Sequence, residues 1–413
     1  MVVSKFSRNK ANFTNKVFMG HGITPCPLLF NQVDDRNVVV TGIGLVSALG
    51  DNLEASWQQL IAKNSAIKLH QPFPELPPLP LALIGKQPIS LKTLTSKVVS
   101  QAIIDAGLNL PLLDCGVVIG SSRSYQAEWE QFAQKFAQNA QFDSDCLDIL
   151  AHRNAIATAQ QIGASLVPVL APMAACATGI WSIFQAFQLI KTGLCDRVLA
   201  GAVEAPITPL TLAGFKQMGA IAQTGSYPFS STRQGLVLGE GGAVLVLESA
   251  KLALERSARI YGQICGFGLT NDACYASQPL LTGESAKLAI EQCLKRSKIQ
   301  PSDIDYIHAH GTATQKGDRH EAQLIEHIFP QSVPISSTKG ATGHTLGASG
   351  AIGAAFCLKA LQQQILPPNV GLQSPEFNLN LVTEPRHNQN RQVLCFSFGF
   401  GGQNAVMAIS IHE

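Results

Sequence analysis

Ten cysteines are scattered through the 413 residues, and no two form a Cys-x-x-Cys pair. That spacing excludes a zinc ribbon and a redox dithiol, and points to reduced thiols in a cytoplasmic compartment. Charge is scarce. Only 14% of residues are charged and the formal net charge is +2, with no basic stripe to hold a nucleic acid. A local basic dock for an acidic partner remains compatible with that balance. No apolar run approaches the roughly 20 residues needed to span a bilayer. The first 33 residues carry Lys5, Arg8, Lys10 and Lys16, with no acid before Asp34 and no apolar core of a secretory signal. Residues 1–36 are therefore read as a flexible N-terminal extension.

What is present is hydrophobic and periodic. At 46% hydrophobic, a chain of this length can bury a large core and a subunit interface. Asn37–Gly44, Cys115–Ser121, Asp196–Glu204 and Glu240–Glu248 read as strands, with helices over Leu53–Ala62, Ser96–Ala106 and Ala250–Arg256 and a proline-rich loop at Leu69–Pro88. The order then repeats. Ile260–Gly268, Ile304–Gly311 and Val333–Lys339 read as strands, Glu284–Ser297 and Gly347–Gln364 as helices, and Gln392–Ser397 with Asn404–Ile411 as a closing strand pair. This echo implies an internal duplication into halves 37–258 and 259–413. Strands alternating with helices predict an α/β fold with largely parallel sheet buried on both faces.

Cys176 sits in Ala171-Pro-Met-Ala-Ala-Cys176-Ala-Thr-Gly179. A buried strand is expected over Ala164–Ala171. Apolar Ile180, Ile183, Phe184, Phe187 and Ile190 follow at helical spacing. A thiol at such a strand-to-helix turn has a lowered pKa, because free N–H groups and the helix dipole favour thiolate. The same residue type is also a common buried hydrophobe. The second half holds three glycine-rich turns after strands: His308-Ala-His310-Gly-Thr312-Ala-Thr314, Lys339-Gly-Ala-Thr-Gly343-His344, and Phe396-Ser-Phe398-Gly-Phe400-Gly-Gly402-Gln-Asn404. Only His310 abuts its glycine turn, so His308 is read as structural. Asp318 and Glu321 are one helical turn apart, the spacing of a solvated face as well as of a paired site. A metal held by His310, Asp318, His320 and His344 lacks any recognised ligand spacing and is not assigned.

Together these stretches resemble the elongating β-ketoacyl-acyl-carrier-protein synthases, condensing enzymes of the thiolase-like superfamily. The resemblance runs from Val38 to Ile411 and includes Arg233 with Val237-Leu-Gly-Glu-Gly-Gly242. It implies duplicated mixed five-stranded sheets in an α-β-α-β-α stack. It also implies that Cys176 takes an acyl group, that His310 and His344 act on a malonyl thioester, and that Lys339 orients them. Asp318 and Glu321 would brace that network, Thr312 and Thr314 would bind a pantetheine arm, and Phe400 would gate the acyl pocket. The Cys176 and Phe400 amides would form an oxyanion hole. The implied partners are acyl carrier protein, acyl and malonyl thioesters and a second copy of the chain. No tightly bound cofactor is implied, since phosphopantetheine arrives on the carrier.

Ala174, Gln234 and Gln403 depart from the family pattern, and the stretch Asn271–Gln278 looks altered. The departures allow an alternative: a catalytically silent partner that sets chain length. The presence of Cys176 argues against it. A thiolase would need a second cysteine in the closing motif, and a chain-initiating synthase an Asn in place of one histidine.

Overall fold

Two apolar helices lie between the halves of one long, folded sheet. The computed structural model describes residues 36–139, 144–273 and 283–412. All of the expected extension except Arg36 falls outside them, as does most of the altered stretch after Asn271.

In chain order the first half holds β1 (Val38–Ser47), α1 (Leu53–Ile61), β2 (Lys68–His70), β3 (Leu79–Leu81), α2 (Leu91–Asp105), β4 (Gly116–Gly120), α3 (Gln126–Asn139), α4 (Arg153–Ile162), β5 (Val169–Leu170), α5 (Thr178–Lys191), β6 (Arg197–Glu204), α6 (Pro209–Gln217), β7 (Gly241–Ser249) and α7 (Ala250–Glu255). The second holds β8 (Gly262–Asn271), α8 (Glu284–Ser297), β9 (Tyr306–His308), α9 (Gln315–Ile328), β10 (Ile335–Ser336), α10 (Lys339–Thr342), α11 (Ser349–Gln363), β11 (Ile365–Leu366), β12 (Arg386–His387), β13 (Gln392–Gly399) and β14 (Gln403–Ser410).

The main sheet runs β10-β9-β13-β14-β8-β1-β7-β6-β4-β5. Within each half the five strands follow the same order, which is the duplication expressed in topology. The halves meet where β1 pairs antiparallel with β8 from Val38–Ile264 to Val40–Gly262. Pairing is parallel only at the outer ends, β4 with β5 and β6, and β9 with β10 and β13. The sheet is thus less parallel than alternation alone suggests, because each half closes with an antiparallel pair that enters the sheet's middle.

α5 and α11 fill the central layer and pack on each other and on both halves. Every residue of α11 from Ser349 to Leu361 is buried, so its small Gly and Ala side chains leave room on all sides. A Cβ on Gly179 of α5 would lie 2.5 Å from the Ala351 amide nitrogen, so glycine is required at that crossing. α2 and α4 cover the outer face of the first half, and α8 that of the second. The largest apolar cluster lies around the central helices, with separate clusters beneath each outer layer.

One expected strand is corrected. Of Ala164–Ala171 only Val169–Leu170 pairs, at the sheet edge, and both are exposed together with Leu166 and Met173. Apolar sequence suggested burial, but this edge has no neighbour strand among the described residues. No helix among the described residues is long and apolar enough to cross a membrane.

Candidate active site

The turn before α5 is built to hold Cys176 in place. Ala175 takes a positive φ of 46°, unusual for a residue with a Cβ. The Thr178 hydroxyl fixes that conformation by accepting from the Ala174 amide at 2.9 Å and donating to the Ala175 carbonyl at 2.7 Å. From the other half, Ser397 Oγ donates to the Cys176 carbonyl at 2.8 Å. Gly399 lies so close that a Cβ there would stand 3.0 Å from the Cys176 amide nitrogen. The Cys176 turn of the first half is therefore locked onto β13 of the second.

Cys176, His310 and His344 converge: the sulfur and one ring nitrogen of each histidine lie within 4.8 Å of one another. The imidazoles meet edge to face, with centroids 5.4 Å apart. His344 follows Gly343, whose φ of 67° turns the chain back from α10, and its Nδ1 lies 2.9 Å from Ser349 Oγ. His310 Nδ1 is buried without a hydrogen-bond partner. Burial and the nearby Lys339 charge hold both histidines well below the ordinary imidazole range, so both are neutral.

The expected thiolate is corrected. Burial pushes the Cys176 thiol up to about 11, outweighing the Phe400 N–H and the Lys339 charge that favour ionisation. Helix position suggested the opposite sign, but the sulfur is only 5% exposed by residue, and desolvation wins.

Beneath the histidines lies a buried charged layer. Lys339 Nζ donates to the His310 carbonyl. Glu321 accepts from the His310 and Gly311 amides at 2.6 and 2.7 Å, and Asp318 from the Phe229 and Ala313 amides at 2.7 and 3.0 Å. These carboxylates thus hold a turn in which Gly311 and Ala313 both have positive φ. Both acids face inward from α9, so the solvated-face alternative does not describe them. Burial raises Glu321 to about 7 and Asp318 to about 6, and it lowers Lys339 from the usual lysine range. His308 stands apart, with Nε2 3.2 Å from Thr338 Oγ1 and Cys395 at its other nitrogen. Neither Asp318 nor His320 joins the Cys176–histidine group, so the four-residue metal set is not assembled.

A cavity of about 390 Å³ opens onto Cys176, His310 and His344. Thr312 and Thr314 line it, their hydroxyls 3.0 Å apart, as do Phe398 and Phe400. The departure Gln234 lies at its edge, where its carbonyl accepts from the Gln223 amide and the Thr224 hydroxyl.

Sequence reasoning missed Glu204. This fully buried carboxylate accepts from Ser122 N, Arg123 N and Gly347 N and from two serine hydroxyls, at 2.6 to 3.0 Å. It ties the end of β4 to the turn after His344. Its partners are remote in sequence, so no local motif marks it.

The family model for the β-ketoacyl synthase N-terminal domain matches residues 90–253, and that for the C-terminal domain matches 261–373. A Schizosaccharomyces pombe protein named as a mitochondrial 3-oxoacyl-[acyl-carrier-protein] synthase is 30% identical over 90% of this chain and 98% of its own length. The chain belongs to the β-ketoacyl synthase family. It is a condensing acyltransferase with the thiolase-like fold. The mitochondrial 3-oxoacyl-[acyl-carrier-protein] synthase of Arabidopsis thaliana is 39% identical over 58% of this chain and 55% of that protein. A Staphylococcus aureus 3-oxoacyl-[acyl-carrier-protein] synthase 2 is 36% identical over 59% and 61%. The match thus spans little more than half of these last two β-ketoacyl synthases. Among solved structures, a type II polyketide ketosynthase in complex with its acyl-carrier protein superposes with a TM-score of 0.85 at 26% identity, over 91% of this chain and 100% of that one. A β-ketoacyl synthase from Burkholderia phymatum gives 0.81 at 26% identity, over 92% and 100%.

Proposed function

We propose that the chain catalyses decarboxylative Claisen condensation: an acyl group on Cys176 reacts with a malonyl thioester to give a β-ketoacyl thioester. The carrying observation is the convergence of one buried thiol with two neutral histidines at the end of a single cavity.

In the first half-reaction the Cys176 sulfur attacks an acyl thioester. Its S–C bond forms, the pantetheine C–S bond breaks, and the thiol proton leaves through a neighbouring imidazole to the departing sulfur. The Phe400 amide stands at the sulfur, and with the Cys176 amide it would stabilise the oxygen as it becomes negative. In the second, malonyl thioester enters with its carbonyl oxygen toward His310 and His344. Loss of CO2 places an electron pair on the malonyl carbon and negative charge on that oxygen. Two preorganised donors in a water-poor site then stabilise the transition state more than the ground state. A Ser349 hydroxyl donating to His344 Nδ1 leaves Nε2 protonated, the tautomer this role requires. The carbanion attacks acyl-Cys176, and the sulfur leaves with its electron pair.

Lys339 positions His310 through its carbonyl and biases both rings toward neutrality. Asp318 and Glu321 brace the same turn, and Thr312 with Thr314 receives the pantetheine arm. Phe400, packed 5.8 Å from Phe215, gates the acyl side. The partner is an acyl carrier protein, whose phosphopantetheine brings the only prosthetic group needed. Halves 37–258 and 259–413 supply the nucleophile and the histidine pair respectively.

A homodimer belongs to the same proposal. The exposed edge at Val169–Leu170, with Leu166 and Met173, offers unpaired backbone and apolar side chains to a second copy. A cytoplasmic location is the accompanying reading, and the mitochondrial names among the relatives make cell fractionation its test. The function itself is tested by incubation with acyl- and malonyl-carrier protein and mass analysis of products. A β-ketoacyl-carrier two carbons longer is expected. Unchanged carriers after prolonged incubation across an acyl panel would favour the silent-partner alternative.

A further inference from the structure

Beside the cavity that opens onto Cys176, and sharing Cys176, Leu236 and Phe400 with its lining, lies a further apolar cluster. Cys176 belongs to it, together with Ile207, Leu212, Phe215 and Leu346, and Phe400 packs against it. An acyl chain carried on the Cys176 sulfur would reach this cluster where Phe400 covers it. A cation stands at its end. The Arg123 guanidinium lies over the Phe215 ring, 5.4 Å from its centroid. It makes no side-chain hydrogen bond or ion pair with any described residue, whereas the other arginine near the site, Arg233, is bound to Glu376 and to three backbone carbonyls.

Arg123 is not a loose surface side chain at its base. Its amide donates to Glu204 Oε1 at 2.9 Å, the preceding Ser122 amide donates to Oε2 at 2.8 Å, and Ser124 follows with a positive φ of 50° held by Ser121 Oγ. The turn therefore sets where the side chain starts, and Phe215 sets where its head rests. The Arg123 charge also reaches Cys176, where it favours the thiolate.

We propose that Arg123 is a specificity-determining residue for the acyl donor, selecting chains whose far end carries a carboxylate or carbonyl oxygen over chains ending in methyl. The inference rests on Cys176 being the acylated residue. A methyl-ended chain of sufficient length would bury part of the guanidinium against hydrocarbon with nothing to bond. A carboxylate-ended chain would meet its planar pair of donors and keep the stacking on Phe215. One charge-assisted hydrogen bond at this partly solvated position is expected to shift the preference by about tenfold.

The test compares adipoyl- and hexanoyl-pantetheine, equal in carbon count, by the rate at which intact-protein mass reports acyl-Cys176. The wild-type protein is expected to take adipoyl faster, Arg123→Met to lose that ratio by about tenfold, and Arg123→Lys, which keeps the charge, to fall between. Melting temperatures of the variants confirm folding. A wild type that prefers hexanoyl overturns the proposal, as does an Arg123→Met ratio within twofold of wild type or an Arg123→Lys ratio as low as that of Arg123→Met. If neither thioester acylates Cys176 in the wild type, the proposed function falls, and this inference with it.

Discussion

The Ser397 hydroxyl donates to the Cys176 carbonyl at 2.8 Å, across the boundary between the two halves. Both residues are buried, so neither group has water as an alternative partner. Cys176 is thus positioned by a strand that lies 221 residues further along the chain.

Replacing Ser397 with Ala leaves that carbonyl without its hydroxyl donor. The expected cost is about 1–3 kcal/mol of stability. Condensation should fall more steeply than melting temperature suggests, because the Cys176 amide shifts with its turn. Calorimetry and a condensation assay check both. Wild-type values in each would show that the turn is held by Thr178 alone.

The Cys176 thiol, raised to about 11 by burial, is protonated throughout the physiological range. Alkylation by iodoacetamide, which requires thiolate, should therefore accelerate about tenfold per pH unit between pH 7 and 9.5. Mass mapping isolates the Cys176 adduct. A rate already level by pH 8 would mean that helix position outweighs desolvation.

Asp318 is held at about 6 by burial, above the roughly 3.9 of an unfolded aspartate. Between those values the folded chain binds a proton that the unfolded chain does not. This residue's contribution therefore favours folding at low pH and diminishes as pH rises from about 4 to 6, by roughly 3 kcal/mol. Asp318→Asn should remove that slope from the stability–pH curve while lowering stability overall through lost acceptance from Phe229 or Ala313. Parallel curves for the two proteins would contradict the assignment.

Much of the architecture is legible in sequence because apolar periodicity and glycine turns mark it directly. Cys176, His310, Lys339 and His344 each sit in such a turn. α9 is less so, because two carboxylates, Asp318 and Glu321, sit on its buried face beside Ala322 and Ile325, where acids are not expected. α3 hides for the opposite reason: Trp129 and Phe136 are exposed, so its apolar residues do not mark a face turned to the core. α6 is short and its mixed residues give weak periodicity, whereas α4 buries Asn154, Ala155, Thr158, Ala159 and Ile162 at helical spacing, but these small and polar side chains do not stand out as an apolar face. Glu204 and Arg123 could not be read at all. Their roles come from donors and a ring contributed by distant segments.

The central claim is that Cys176 and the histidine pair divide the reaction between them. Its most direct measurement follows acyl-Cys176 formation and malonyl-carrier decarboxylation separately in Cys176→Gln and His344→Ala. Cys176→Gln should form no acyl-enzyme yet still release CO2 slowly. His344→Ala should accumulate acyl-Cys176 while decarboxylation drops about 100- to 1,000-fold. A His344→Ala protein that condenses at the wild-type rate, or a Cys176→Gln protein that still makes β-ketoacyl product, would contradict the account.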